Sequence, residues 1–414
     1  MERVFSVEIM VPAGSFETLN AAINAGASSV YFGVGSLNMR SRSANFQPED
    51  LPSIIGICRR NGVRSYLTLN TIMYDEDMEN ARTLCDLSLS CGLSAVIATD
   101  ISVIEYARSI GLEVHISTQA NISNIGAVRF YSRYADIVVL ARELSLDQIE
   151  HICSAIKNEN ICGPSGELLR VEAFVHGAMC VAVSGKCYMS LAHYNSSANR
   201  GSCLQTCRRR YRVTDEETGE ELIVDNRFVM SPSDLCTIGM LDRLIESGVT
   251  VLKIEGRARG PEYVDTVTRA YREAVELIAS GKYSQNDRLR LRGELEKVFN
   301  RGFWDNGYYM GNELGEWAGL YGSCATTRKI KVGRVVNFFH KPMVVEVLLE
   351  SGEITLGAEI AFTGPTTGIV YAKADSIMDD SCKAVSKLTK GMNGTIKMNE
   401  AVRRNDLVFV IEPR

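Results

Sequence analysis

Short apolar segments alternate with helical segments along the first two thirds of the chain. Eight of the apolar segments are rich in β-branched residues and have the length of buried strands. Most of the helical segments between them have ten or more residues. The strand-like segments are residues 8–14, 28–34, 64–71, 95–100, 113–120, 136–143, 171–180 and 249–257. The alternation predicts an α/β protein with a parallel sheet, and eight units favour a closed, TIM-like (β/α)8 barrel.

A doubly wound open sheet is the alternative fold for the same alternation. In such folds a Gly-x-Gly-x-x-Gly turn after the first strand binds a dinucleotide. The first strand here ends in Pro-Ala-Gly at residues 12–14, and that turn is missing. The sequence therefore favours the barrel and disfavours dinucleotide binding.

The pattern changes near residue 327. From there to residue 414, short strands separated by turn residues predict a small C-terminal all-β barrel. We expect the (β/α)8 barrel to occupy residues 1–280, with a cysteine-rich insertion at 180–248 after the seventh strand. Residues 281–326 are expected to form a helical and aromatic connector. Because insertions after a barrel strand belong to the catalytic face, this one is predicted at the barrel mouth.

Five cysteines lie in or beside the insertion. Cys180, Cys187, Cys203, Cys207 and Cys236 are separated by 6, 15, 3 and 28 residues. Disulfides are disfavoured because the N-terminus lacks the apolar run of a signal peptide, and cytosolic thiols stay reduced. Zinc usually takes two closely spaced pairs of ligands, and only Cys203 and Cys207 come close to one. Dispersed thiolates suit an iron–sulfur cluster, while zinc and ordinary buried thiols remain open alternatives.

The composition is that of an ordinary soluble globular protein. The chain has 414 residues, of which 45% are hydrophobic and 23% are charged, and its net charge is −5. With that charge, RNA binding requires a local basic patch. No segment approaches the roughly 20 apolar residues of a membrane span. We therefore expect a cytoplasmic protein without a membrane partner.

Polar side chains at or just beyond the strand ends are the candidate substrate contacts. The arginines among them suit a carboxylate or phosphate group, because a guanidinium pairs bidentately with either. Internal ion pairs, Arg142 with Glu143 or Glu255 with Arg257, are the structural alternative. The candidates for substrate binding are Asn38, Arg40, Arg42, Asn70, Thr118, Gln119, Asn121, Arg142 and Glu255, and those for catalysis are His176, Glu143 and Arg257.

Two further features carry a functional and a structural interpretation. His176, in the same segment as Cys180, is either a general acid or base or a buried structural histidine. The run Arg208, Arg209 and Arg210, followed by an aromatic residue, suits RNA binding through phosphate contacts and base stacking. A solvated strand of a hairpin would carry the same run.

Segments spread over nearly the whole chain resemble the collagenase-like peptidase family of unknown catalytic type, numbered thirty-two. The most specific segment, from Glu172 to Ser190, reads Glu-x-Phe-x-His-Gly-Ala-Met-Cys and then Ser-Gly-x-Cys-x-Met-Ser. The likeness extends to the terminal all-β region that many members carry. Its other segments are residues 38–46, 117–124, 140–146, 199–203, 231–236, 252–257 and 300–309.

The resemblance implies a chemistry. Better-understood members are oxygen-independent hydroxylases with a [4Fe–4S] cluster, and this chain looks most like the branch that hydroxylates carbon five of the tRNA wobble uridine with prephenate. Other branches act on a ribosomal RNA cytidine or in ubiquinone synthesis. The family's cluster ligands transfer to Cys180, Cys187, Cys203 and Cys236, with Cys207 as an alternative ligand. The implied partners are tRNA, prephenate and a second copy or a related subunit.

Two other functions remain in view. A metallopeptidase would carry His-Glu-x-x-His, and none of the five histidines lies in that motif. A cysteine peptidase needs a thiolate with a histidine partner, which His176 and Cys180 would have to supply. A non-catalytic, cluster-binding protein would have no use for polar residues at nearly every strand end.

Overall fold

The computed structural model describes residues 7–42, 45–209, 211–212, 214–221, 231–304, 318 and 322–414. Its first ten strands are β1 (Glu8–Pro12), β2 (Ser29–Phe32), β3 (Arg64–Leu69), β4 (Ala95–Ala98), β5 (Val114–Ile116), β6 (Ile137–Val139), β7 (Arg170–Gly177), β8 (Asp234–Cys236), β9 (Val251–Ile254) and β10 (Phe303–Trp304).

Eight of these strands form a closed parallel barrel. Strands β1 to β7 pair in sequence order, and β9 pairs in parallel with both β7 and β1. Val251 is the register partner of Glu172 on one side and of Glu8 on the other. The predicted (β/α)8 barrel is therefore confirmed, and the open-sheet alternative is wrong.

Helices alternate with the barrel strands, as the sequence pattern predicts, and further helices lie in the insertion and after the last barrel strand. They are α1 (Phe16–Asn24), α2 (Leu51–Arg60), α3 (Met78–Cys91), α4 (Ile101–Ser109), α5 (Ile125–Tyr131), α6 (Leu146–Asn158), α7 (Met189–Tyr194), α8 (Leu241–Glu246), α9 (Pro261–Ala279) and α10 (Gln285–Lys297). Ser15 and Ser145 cap α1 and α6, each accepting a hydrogen bond from the third N–H of its helix. Such caps satisfy N–H groups that have no partner within a helix.

A buried ionic cluster closes the end of the barrel opposite the mouth. Glu8 is 3% exposed, and its carboxylate accepts from Tyr66 Oη at 2.8 Å and from Arg170 Nη2 at 2.8 Å, and is paired with Arg64. Burial raises the pKa of Glu8, but the two arginines and the hydrogen bonds outweigh burial. The pKa of Glu8 is therefore below its ordinary value. These residues begin strands, at the end of a barrel that contributes stability and not catalysis.

The segment between β7 and β9 leaves the barrel and returns to it. On its return, β8 pairs antiparallel with the end of β7, where Cys236 is the register partner of His176. Strand β10 then adds to β8 in parallel. The mouth of the barrel is thus extended on one side by two short strands that the sequence pattern does not predict.

The C-terminal region is all-β, as predicted. Its strands are β11 (Thr327–Phe339), β12 (Val344–Leu349), β13 (Glu353–Thr355), β14 (Glu359–Gly364), β15 (Gly368–Lys373), β16 (Ile377–Asp379), β17 (Lys387–Thr389), β18 (Asn393–Lys397) and β19 (Leu407–Pro413). Seven of them form an antiparallel sheet in the order β15-β14-β19-β11-β12-β18-β16, and β13 pairs with β17. The hydrogen-bonded sheet ends at β15 and β16 and does not close on itself.

The C-terminal region packs on the first helix of the barrel. Asn20 and Asn24 of α1 donate side-chain hydrogen bonds to the carbonyl oxygens of Pro365 and Thr367, at 2.7 and 3.2 Å. The contact lies on the outer wall of the barrel. In the described part of the chain, no helix combines the length and apolar character needed to cross a membrane.

Candidate functional site at the barrel mouth

A cavity of about 270 Å³ lies at the carboxyl ends of the barrel strands, on the side of the cysteine-rich segment. Most of the side chains predicted from the sequence line it. They are Arg40, Arg42, Asn70, Thr118, Gln119, Arg142, Cys180, Cys187, Cys203, Cys207, Arg208, Glu255 and Arg257. A larger cavity, about 820 Å³, lies between α9, α10 and the C-terminal region, and none of the predicted site residues lines it.

Four cysteines share the wall of the mouth cavity: Cys180, Cys187, Cys203 and Cys207. Burial and, to a smaller extent, the other three thiols raise the pKa of Cys207 to about 11, although Arg208 acts to lower it. Two backbone N–H groups point at sulfur atoms: Met189 donates to Cys187 Sγ at 3.4 Å, and Gln205 donates to Cys203 Sγ at 3.3 Å. Hydrogen bonds to ligand sulfurs are a common feature of iron–sulfur sites.

Cys236 lies outside this group. It is 6% exposed, does not line the cavity, and sits in β8 beside His176. The reason is the direction of β8, which runs back along β7 instead of toward the mouth. The cavity therefore contains Cys207, which was expected to be the alternative ligand, and lacks Cys236, which was expected to be the fourth ligand.

The geometry of the thiols bears on the alternatives left open by the spacing. None of the twelve cysteines, all in the described part, forms a disulfide. Within the described ranges, no three His, Cys, Asp or Glu side chains converge on one point as ligands of a single ion do. In a four-iron cluster each thiolate binds a different iron atom, so its ligands stand farther apart than those of one ion. Four thiols around one cavity, two of them with N–H donors, fit that donor set.

Glu255 is the only carboxylate among the described lining residues, and it organises its neighbours. Its Oε1 accepts from Arg40 Nη2 at 2.7 Å, and its Oε2 accepts from Tyr31 Oη at 3.2 Å. Burial opposes ionisation of this carboxyl, but Arg40 and Arg257 outweigh burial and hold its pKa at about 2. Glu255 is thus a fixed anion that orients Arg40.

Arg257 is held by neutral groups. Its Nη1 donates to Asn38 Oδ1 and to Thr68 Oγ1, both at 3.0 Å, and burial lowers its pKa to about 10. Asn38 is fully buried and does not line the cavity, so it positions Arg257 and does not contact a ligand. The structural alternative placed Glu255 in an ion pair with Arg257, but in the structure Glu255 pairs with Arg40.

Three arginines of the cavity wall make neither an ion pair nor a side-chain hydrogen bond within the described ranges: Arg42, Arg142 and Arg259. The guanidinium of Arg142 lies 5.3 Å from the ring centre of Phe174, and that of Arg259 lies 3.5 Å from that of Phe299. In all, eight basic side chains and one carboxylate line the cavity. An anionic ligand is the natural complement of such a wall, because each unpaired guanidinium can bind carboxylate or phosphate bidentately.

His176 does not face the cavity. It is 1% exposed and packs among the rings of Tyr263, Tyr271 and Phe303, at centroid distances of 5.5 to 5.8 Å. Burial lowers its pKa to about 3, so it is neutral at physiological pH. The structure therefore favours the structural interpretation of His176 over its assignment as a catalytic acid or base. Glu143 and Asn121 are likewise absent from the cavity wall.

The basic run 208–210 divides into residues with different roles. Arg208 turns inward, where its guanidinium donates to Ser231 Oγ at 2.9 Å and to the carbonyl oxygens of Pro232 and Met179. It therefore joins the cysteine-rich segment to the residues just before β8, and its guanidinium is engaged inside the protein. Arg209 is exposed, and its guanidinium lies over the ring of Tyr194. Arg210 and residues 222–230 lie outside the described residues.

Sequence reasoning missed several residues of the wall, among them Tyr31, Thr68 and Lys253. Lys253 is 5% exposed, and its Nζ donates to Glu172 Oε1 at 2.6 Å. Lys253 lies within the apolar strand β9, the eighth strand of the barrel. A lysine at such a position is a signal that could have identified it, because burying an ammonium group requires a partner. Tyr31 and Thr68 carry no comparable signal, since either is common in buried strands.

Comparison with known proteins gives the family. The model of Peptidase family U32 matches residues 14–319. The chain is 53% identical over 413 residues to a protein of Porphyromonas gingivalis named "Collagenase", a match that covers 100% of this chain and 99% of that protein.

Two further relatives are named for RNA modification. The chain is 31% identical to "tRNA hydroxylation protein P1" of Bacillus subtilis, over 90% of this chain and 87% of that protein. It is 32% identical to "23S rRNA 5-hydroxycytidine C2501 synthase" of Escherichia coli, over 75% of this chain and 46% of that protein.

Proposed function

This chain belongs to peptidase family U32, and we propose that it is an iron–sulfur-dependent enzyme that hydroxylates RNA without oxygen, at carbon five of the tRNA wobble uridine, with prephenate as the oxygen source. The observation that carries the proposal is the group of four thiols around a cationic cavity at the barrel mouth. Relatives named for tRNA and rRNA hydroxylation support the choice of RNA.

The chemistry of the cavity favours a hydroxylase over a peptidase. A cysteine peptidase needs a histidine beside its thiolate. All five histidines lie in the described part of the chain, and none lines the cavity. The nearest candidate in sequence, His176, is neutral and enclosed by aromatic rings. Four neighbouring thiols without a histidine partner suit metal ligation better than nucleophilic attack.

The cysteines of the cavity would hold a [4Fe–4S] cluster: Cys180, Cys187, Cys203 and Cys207. When bound, such a cluster supplies a redox centre or a Lewis acid. The protein's contribution is to fix the ligand sulfurs. Arg208 does this by joining Met179, next to Cys180, to the return strand, and the N–H groups of Met189 and Gln205 orient two of the sulfurs.

The unpaired arginines of the wall would bind the oxygen donor. Prephenate carries two carboxylates, and Arg42 and Arg142 are two guanidinium groups with no carboxylate partner in the described chain. Bidentate pairing fixes the plane of each carboxylate as well as its position. Arg40 stands beside them in a fixed orientation, because Glu255 holds it at 2.7 Å. The wall therefore selects a small dianion and orients it toward the thiols.

Iron and acid-labile sulfide, measured on protein purified without oxygen, test the cluster. About four of each per chain are expected, and Cys207→Ser should lower both. Cys236→Ser is the matched control, because that cysteine lies outside the cavity and its loss should leave the iron content unchanged. Iron-free protein with stoichiometric zinc or free thiols would overturn the proposal.

The substrate requires a second measurement. Mass spectrometry of tRNA nucleosides from a deletion strain should show the loss of a 5-hydroxyuridine-derived nucleoside, restored by the wild-type gene and not by Cys187→Ala. The alternative function is a peptidase, favoured by the name of the 53% identical relative. Iron-free protein that cleaves collagen-derived peptides, with unchanged tRNA in the deletion strain, would establish the peptidase instead.

A further inference from the structure

Exposed aromatic side chains stand beside the four-cysteine cavity. Tyr188 follows Cys187 directly and is 72% exposed, and Tyr194, at the end of α7, is 48% exposed. Met189 and Ser190 of the same helix line the cavity. At a rise of about 1.5 Å per residue, the two tyrosines are about 9 Å apart along the helix. Large exposed aromatic groups at the edge of a functional cavity indicate a surface that another molecule covers.

The segment that carries these tyrosines has only positively charged side chains among its charged residues. Residues 173–214 contain no Asp and no Glu, but contain one Lys and five Arg. Two of these cations, Lys186 and Arg209, are exposed. The guanidinium of Arg209 lies 5.0 Å from the ring centre of Tyr194 and hydrogen-bonds its hydroxyl, which fixes the ring on one side. An acid-free segment of this length in a chain of net charge −5 is complementary to a polyanion.

We propose that Tyr188 and Tyr194 form a stacking platform for the unpaired bases of an RNA strand, with Lys186 and Arg209 on its phosphates. Aromatic rings combined with flanking cations are how proteins bind single-stranded nucleic acid, since every base has a π-face. Base-paired RNA does not suit the platform, because its bases are already stacked. The inference rests on the proposed function and specifies it: the target nucleotide lies in an unpaired segment, held beside the cavity that modifies it.

A third exposed tyrosine at the mouth provides a matched control. Tyr74 is 54% exposed and has its own arginine, since the guanidinium of Arg200 lies 4.4 Å from its ring centre. Asp75, Glu76 and Asp77 follow it directly. These three acidic side chains repel the phosphates of RNA. Tyr74 therefore shares the exposure and the arginine contact of the platform tyrosines but lacks a positively charged surrounding segment. Tyr74 therefore separates a specific platform from a general effect of removing a surface ring.

Fluorescence anisotropy with a labelled, unpaired oligoribonucleotide tests the platform on the full-length holoenzyme. Tyr188→Ala and Tyr194→Ala are each expected to weaken binding roughly tenfold, the scale of one lost base stack. Tyr74→Ala is expected to change it less than about twofold. The same strand annealed to its complement should bind more weakly than the free strand and should respond little to either variant.

The outcomes separate this inference from the proposed function. Unchanged affinity in both platform variants, with hydroxylated nucleoside still formed by the wild type, would overturn the platform alone. Absence of the hydroxylated nucleoside in wild-type cells would overturn the proposed function. A third outcome is that the protein does not bind RNA but binds a proline-rich peptide, and that both variants abolish this binding. That outcome would assign the platform to a peptide, because such peptides also dock on exposed aromatic rings.

Discussion

Replacing Glu255 by Gln tests the ionic centre of the cavity. The carboxylate is buried and paired with Arg40 at 2.7 Å, and its pKa falls from an ordinary 4.5 to about 2 in the folded protein. Each tenfold change in an acidity constant corresponds to about 1.4 kcal/mol. The ionised group therefore contributes about 3 kcal/mol to stability at pH 7, a figure in line with the cost of breaking a buried pair by removing one partner.

The sign and the pH window follow from the lowered pKa. The contribution is complete above pH 4.5 and is lost as the pH falls toward 2, because the unfolded chain takes up the proton first. At pH 3.5 about 2 kcal/mol remains. With an unfolding entropy of about 2.1 cal/mol/K per residue, Glu255→Gln should lower the melting temperature by about 4 °C at pH 7 and about 2 °C at pH 3.5.

Differential scanning fluorimetry at the two pH values measures both numbers. Glu412→Gln is the matched control, since Glu412 also pairs with an arginine, at 3.0 Å, but is 42% exposed. An exposed pair contributes little, so this variant should shift the melting temperature by less than about 1 °C. A shift for Glu255→Gln no larger than that of the control, or one that grows as the pH falls, would refute the assignment of Glu255 as a buried, ionised hub.

Three further predictions concern other parts of the site. Arg142→Lys keeps the charge but loses the bidentate fork, so KM for the donor dianion should rise about tenfold with kcat nearly unchanged in steady-state assays. A KM equal to that of the wild type would exclude Arg142 from donor binding. His176→Phe should keep hydroxylation activity, and its melting temperature should fall less than that of the wild type between pH 7 and pH 5. The free energy of unfolding of the wild type falls by about 2 kcal/mol over that interval, because His176 stays neutral in the folded chain and is protonated in the unfolded chain. Gly201→Ala should destabilise the protein by about 2 kcal/mol or more and lower its iron content. The reason is that φ of Gly201 is +79° and the new Cβ would lie 2.1 Å from the carbonyl oxygen of Asn38. An unchanged melting temperature and iron content would show that the loop can move aside.

The fold was predictable because its signals are local and repeated. Eight strand and helix units each carry their own apolar pattern and caps, such as Ser15 and Ser145, and a parallel sheet of eight such units closes. The positions at the strand ends also follow from topology alone. Arg40, Asn70, Thr118 and Arg142 reach the cavity because the carboxyl end of every parallel strand meets the same mouth.

The errors arise where tertiary pairing decides a side chain's direction. Phe174 and His176 are two residues apart on β7, and simple alternation would place both in the cavity. The register with β9 shifts between them, and that irregularity turns His176 outward against α9, where Tyr263 and Tyr271 enclose it. A bulge of this kind leaves no mark in the apolar pattern.

The same explanation applies to the fourth thiol. The spacing of the cysteines in sequence is compatible with either Cys207 or Cys236 as the fourth ligand of a cluster. Only the antiparallel return of β8 shows that Cys236 is carried away from the cavity. Arg208 resembles its neighbour Arg209 in sequence, yet three oxygen acceptors inside the protein draw it inward.

The closing strand of the barrel also bears on how the protein is made. Strand β9 fits between β1 and β7 and begins at Val251, so the ribosome must synthesise more than half of the 414 residues before either edge can be paired. Until then the nascent chain presents two open parallel edges, which are templates for association with other chains. A product truncated before Val251 would keep both edges, together with the exposed cysteine segment, and should accumulate as aggregate. Closure of the barrel therefore depends on residues that are synthesised late, and the chain that has not yet closed is the form exposed to aggregation.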